Sequence, residues 1–126
     1  MPGYTIRNLR EIDDAAVKFG LSPDVEARFA GRALESETVG LSLQRLAPNT
    51  HQPFGHSHRE DEEIYVVTAG SGTVTLGEED HQVRAWDAIR VAPDTTRVFA
   101  AGPEGLEFLA FGGNSGTDDV ESFPAG

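Results

Sequence analysis

The chain has 126 residues, 38% of them apolar and 25% charged, with seven phenylalanines, two tyrosines and one tryptophan. That length suits one domain with its own core, burying roughly 68% of the surface its unfolded form exposes, and the composition excludes a disordered or membrane-embedded chain. Ten basic residues against 21 acidic ones give a formal net charge of −11, which repels phosphate backbones and anionic lipid, so neither nucleic acid nor membrane is an expected partner. Absence of cysteine removes disulfides, thiolate metal sites and cysteine nucleophiles together.

The opening stretch MPGYTIRNLREIDD mixes charged and polar residues and lacks the apolar run of about seven or more that a targeting segment carries. A soluble, cytoplasmic chain is expected. Residues 1–35 read as a helical leader. Ile12, Ala15, Ala16 and Phe19 fall at helical spacing, Asp13 or Asp14 can cap the turn, and Gly20 can end it. Ser22-Pro23 then reads as a cap and first helical position, opening a second short helix through DVEARFA.

From Ser36 the period changes to two. Val39, Leu41 and Leu43 share one strand face, and Gly40, Ser42 and Gln44 the other. Ile64–Val67 and Thr73–Leu76 flank Ala69-Gly70-Ser71-Gly72, which predicts a hairpin. The turn Gly77–Asp80 leads into a strand at His81–Ala85. Further strands are expected at Ala88–Ala92, Arg97–Ala100 and Leu106–Phe111, broken by Pro93-Asp94 and Gly102-Pro103-Glu104-Gly105. So many short strands at close spacing predict an all-β sandwich or barrel over residues 36–112. Residues 113–126, rich in Gly, Ser and acidic groups, read as a flexible acidic tail in which Phe123 could dock on a neighbouring chain.

Of four histidines, His51, His56 and His58 lie within eight positions. On a strand His56 and His58 share a face, with Ser57 pointing away. Glu63 follows five positions later, at the start of EIYVV, where a neighbouring antiparallel strand joined by a short turn would bring it beside the imidazoles. Two neutral imidazoles and a carboxylate with positions left open suit Fe(II), Mn(II), Zn(II) or Ni(II). An isolated His-x-His pair is also a common polar surface pattern. His81, and the charged turn Arg59, Glu60, Asp61 and Glu62, read as solvated.

The stretch GHSHREDEEIYVVTAGSG, residues 55–72, resembles the first signature motif of the cupin superfamily, HxH(x)4E(x)6G, with His56, His58, Glu63 and Gly70 at its spacings. The resemblance implies a cupin-type jelly roll, two antiparallel sheets closing on each other, with short N-terminal helices ahead of it. It also implies a metal on His56, His58 and Glu63. The second family motif, GD(x)5PG(x)2H, is kept only in part. In WDAIRVAPDTTRVF, Asp87 and Pro93 stand in place, Trp86 and Asp94 replace the glycines, and Arg97 replaces the fourth ligand histidine. A guanidinium has no lone pair for a metal, which leaves three protein ligands.

Two outcomes follow. With a divalent metal, the cluster and Arg97 together carry excess positive charge and suit an anionic ligand forked by Arg97. Without metal, Glu63 and Arg97 can pair directly. Tyr65 and Phe99 face the interior by parity and join Arg97 as candidate ligand contacts. Trp86 either caps one end of the barrel or lines its mouth against a planar ligand. If Glu63, Tyr65 and Val67 face inward, Ile64 and Val66 face outward and need a cover, either the N-terminal segment or a second subunit in a homodimer. The functional reading is a single-domain cupin binding a small anionic molecule. The alternatives are a metal-dependent dioxygenase, isomerase, epimerase or decarboxylase, and a metal-free structural or storage module.

Overall fold

A computed structural model of the chain describes residues 3–58 and 61–113, and the backbone of residues 120–124. Two short 3-10 helices, Leu9–Glu11 and Ala15–Phe19, precede strands β1 (Val25–Phe29), β2 (Val39–Leu46), β3 (Phe54–His58), β4 (Glu63–Leu76), β5 (Glu79–Arg84), β6 (Ala88–Val91), β7 (Arg97–Gly113) and β8 (Val120–Pro124). The Asp14 carboxylate caps the second helix by accepting from the Ala16 amide, and Gly20 ends it at φ +71°. Among the described residues no helix is long and apolar enough to cross a membrane.

Three expectations are corrected. The second leader helix is strand β1, antiparallel to β2 from Val25↔Leu46 to Phe29↔Ser42. The alternation of Val25, Ala27 and Phe29 with Glu26 and Arg28 is the period of a strand, and pairing with β2 overrides the Ser-Pro signal. The predicted hairpin at Ala69–Gly72 does not form, because β4 runs unbroken through it and β7 runs unbroken through Gly102–Gly105. Gly70 adopts φ +77°, and a Cβ there would lie 2.1 Å from the Gly105 carbonyl oxygen. These glycines therefore let two long strands cross closely at a bend, with register shifts between Val67 and Ala69 and between Gly70 and Gly72. The tail is not wholly free, since β8 adds to β3 from Phe54↔Pro124 to His58↔Val120. Arg59 and Glu60 of the charged turn, residues 114–119 and 125–126 of the tail, and the Phe123 side chain lie outside the described residues.

Because β4 and β7 bend, they serve both layers of a jelly roll. One layer runs β1-β2-β7-β4-β6 and the other β8-β3-β7-β4-β5. Tyr65 and Phe108 come from the first layer and Phe99 from the second. The Phe99 and Phe108 rings stack at 4.3 Å, and Tyr65 lies 4.9 Å from Phe99. Leu46, Val67, Val74, Val83, Val91 and Leu106 complete the core. Each buried aromatic or aliphatic side chain contributes about 1.5–3 kcal/mol, with about 0.5–1.5 kcal/mol more for a ring pair.

On the outer side of the first layer, Leu41, Phe111 and Ile64 form a row across three strands. The N-terminal segment covers only part of this face, where Leu9 shares a groove with Leu43 and Leu109. Ile64 and Phe111 remain 42% and 37% exposed.

Candidate metal centre

His56 and His58 share one face of β3, turned toward Tyr65 and Glu63, and buried Tyr65 fixes the inward side of β4, placing Glu63 on it as well. β3 and β4 do not pair among the described residues; β3 pairs with β7 and β8. Glu63 therefore reaches the imidazoles from the facing layer, across the interior of the roll, and not from an adjacent strand as the short connection suggested. One ligand atom from each of His56, His58 and Glu63 lies within 4.8 Å of the others. Glu63 Oε1 is 3.7 Å from His56 Nε2 and 3.5 Å from His58 Nε2. Ligand atoms about 2.1 Å from a common ion and 90–109° apart stand about 3.0–3.4 Å from one another, so with side-chain adjustment these residues would fit one divalent ion. Their side chains keep 22%, 14% and 15% exposure.

Tyr65 is a fourth residue of the centre. Its hydroxyl donates to Glu63 Oε1 and lies 3.4 Å from His56 Nε2. Burial works to raise the Glu63 carboxyl, but hydrogen bonds from His56, His58 and Tyr65 and the charge of His58 outweigh it and hold the group well below the ordinary carboxylate range. Glu63 is thus ionised and ready to ligate. Burial, then the Glu63 charge, pushes the Tyr65 hydroxyl well above the ordinary phenol range, with the Arg97 charge pulling against them. Tyr65 accordingly keeps its proton and orients the carboxylate.

Arg97 lies directly opposite His56 in the β3–β7 pair, so the two side chains project to the same side. It is 0% exposed, and among the described residues nothing accepts a hydrogen bond from its Nε, Nη1 or Nη2. The direct Glu63–Arg97 ion pair expected of a metal-free site is not formed. Leaving even a neutral buried donor unsatisfied costs about 1–3 kcal/mol, and a charged one more, so this guanidinium calls for an acceptor.

Two of the expected ligand contacts are placed elsewhere. Phe99 faces inward as parity predicts, but its ring is fully enclosed between Tyr65 and Phe108 and belongs to the core. Trp86 is 76% exposed on the β5–β6 turn at φ +76°. Its amide donates to the Val67 carbonyl, four residues along β4 from Glu63, which is about 13 Å at strand rise. His51 Nδ1 donates to the Gln52 carbonyl, away from the cluster, and Glu62 forms an exposed ion pair with Arg90.

The interior also holds polar residues that sequence reasoning passed over. Gln52 Oε1 accepts from the Phe99 amide at 2.9 Å, Gln52 Nε2 donates to Gln44, and Gln44 donates to Ser42. The alternation in β2 marked Ser42 and Gln44 as one face but could not say that the polar face turns inward.

Residues 42–112 match the model of the family described as Cupin domain. The dimethylsulfoniopropionate lyase DddW of Ruegeria pomeroyi is 40% identical over 68 residues, covering 54% of this chain and 43% of that one. The chain thus matches less than half the length of that relative. A cupin protein from Bacteroides fragilis superposes with a TM-score of 0.74 at 24% identity, covering 93% of this chain and 89% of the other. The polyketide cyclase RemF from Streptomyces resistomycificus gives 0.76 at 17% identity, covering 97% and 85%. These structural likenesses show the fold.

Proposed function

The chain belongs to the cupin domain family, and from that premise we propose that it holds one divalent transition metal on His56, His58 and Glu63 and binds a small anionic molecule beside it. The convergence of those three ligand atoms within 4.8 Å carries the reading. A bound Fe, Mn, Zn or Ni ion would supply Lewis-acid polarisation or activate a small ligand such as water. The chain's own residues do the rest. Tyr65 donates a hydrogen bond to Glu63 Oε1 and keeps that carboxylate oriented. Arg97 offers a planar fork whose donors no described residue occupies, and Phe99 and Phe108 back Tyr65 against displacement.

Such a site suits enzyme chemistry on a small carboxylate. The curated relative, named as a lyase of dimethylsulfoniopropionate, supports that substrate class, since a propionate carries a carboxylate. That no described residue accepts from the Arg97 guanidinium favours this reading over a metal-free module closed by a Glu63–Arg97 pair. Elemental analysis of protein purified without chelator tests it, with about one metal expected per chain. Wild type with no more metal than His56→Ala, before and after reconstitution, overturns it.

The row of Leu41, Phe111 and Ile64 supports a homodimer formed through that face. Four arginines there, Arg10, Arg28, Arg45 and Arg90, face three glutamates, Glu26, Glu62 and Glu107, in ion pairs. In a chain of net charge −11, this balanced surface is one that two copies can bring together without strong repulsion.

A further inference from the structure

We propose that the metal and a small monocarboxylate enter this centre as a coupled pair, each raising the affinity for the other, with Arg97 as the residue that couples them. The inference rests on the metal reading above and adds to it a requirement and a ligand class. Three observations carry it. Arg97 is fully enclosed, so its charge is poorly screened by solvent. Its three nitrogens have no acceptor among the described residues. It projects to the same side as His56, its partner across the β3–β7 pair.

These positions set two opposing charges against single occupants. A divalent ion arriving alone on His56, His58 and Glu63 meets the uncompensated positive charge of Arg97. A carboxylate arriving alone at Arg97 meets the ionised Glu63, the centre's own negative charge. When both arrive, one carboxylate oxygen can take a ligand position left open on the metal while the other accepts from the guanidinium, and both repulsions are cancelled. The fixed fork of Arg97 can direct more than one N–H donor at that second oxygen. In family members that place a histidine at this position, as the second cupin motif does, that charge is absent. By linkage the gain is reciprocal, and couplings of this kind run to about 5–150-fold.

The test measures Zn2+ affinity of the full chain by competition with a chromophoric chelator, in carboxylate-free buffer, with propionate or with propionamide as its uncharged counterpart. Propionate is expected to raise wild-type Zn2+ affinity at least about fivefold, and propionamide to leave it unchanged. In Arg97→Met the propionate gain disappears, while Zn2+ without propionate binds at least as tightly as to wild type, because a repelling charge has gone. Arg97→Lys, which keeps the charge but loses the fork, retains a smaller gain; together with the wild-type comparison it decides the matter should Arg97→Met not fold. Equal Zn2+ affinity with and without propionate overturns the coupling and leaves the metal reading standing. A propionate gain that survives in Arg97→Met also overturns it. No Zn2+ uptake under any condition removes the metal reading and the coupling together.

Discussion

Arg97 and His56 face each other across the single registered pair of β3 and β7, yet the imidazole is drawn into a cluster with Glu63 and Tyr65 while the guanidinium has no acceptor among the described residues. One position of that pair can ligate a metal and the other cannot. The identity of residue 97 therefore decides the charge of the centre.

Changing that residue is the most direct perturbation. Arg97→His places a third imidazole opposite His56 and removes a positive charge, so Zn2+ affinity should rise at least about tenfold. His56→Ala and His58→Ala should each lose more than the about 10–100-fold that removal of an outer partner costs. Chelator competition reads all three, and an unchanged affinity in Arg97→His would count against the three-donor geometry.

Tyr65 orients Glu63 through its hydroxyl. Tyr65→Phe keeps the ring in its packing against Phe99 and Phe108 and removes only the hydroxyl. Metal affinity should fall about 10–100-fold with the urea midpoint lowered by no more than the loss of one hydrogen bond, about 1–3 kcal/mol.

The two shifted groups bracket the pH range of metal-free stability. Glu63 is held below its unfolded value of about 4.3, so its contribution is complete above that pH and is lost as pH falls below it. Tyr65 is held above its unfolded value of about 10, so its contribution is complete below that pH and is lost as pH rises past it. Urea midpoints measured from pH 3 to pH 11 should fall at both ends. Glu63→Gln should flatten the acid limb and Tyr65→Phe the alkaline one.

The glycine corner where β4 crosses β7 should be intolerant of any side chain. Gly70→Ala puts a Cβ 2.1 Å from the Gly105 carbonyl oxygen at φ +77°. It should cost about 3 kcal/mol or more, combining left-handed strain with overpacking. Gly77→Ala, at φ +63° with nothing within 4 Å, should cost only the strain, about 1–2 kcal/mol. Denaturant titrations of the two variants separate the terms.

Ile64→Glu and Phe111→Glu each place a charge in the exposed row of the first layer. Sedimentation velocity should find wild type dimeric and both variants monomeric, with secondary structure unchanged because neither side chain belongs to the core. A monomeric wild type would refute the pairing through this face.

Much of the centre was legible in the chain because the relevant signals are local. Strand parity put His56 with His58 and Glu63 with Tyr65, and the donor types were of a kind that suits a divalent metal. The leader was harder. Val25–Phe29 carried a clear period of two, but a Ser-Pro pair signals a helix start on the same few residues, and only pairing with β2 separates the two readings. For Trp86 the sequence left two placements open, since a large ring at a turn can point in or out, and here it is exposed.

Alternation and spacing by themselves settled which side chains share a strand face and that residues 36–112 are built of strands, while the resemblance to the second cupin motif put a guanidinium where a ligand histidine could have been. Local backbone geometry dictates those features within a few residues. What lies across the interior was decided only when the roll closed. Glu63 meets the histidines from the opposite layer, Gly70 serves a bend where a turn was expected, the polar face of β2 turns inward, and no described residue reaches the buried nitrogens of Arg97. Each of these depends on contacts between distant parts of the chain, and alternation along a single strand carries no information about its partners.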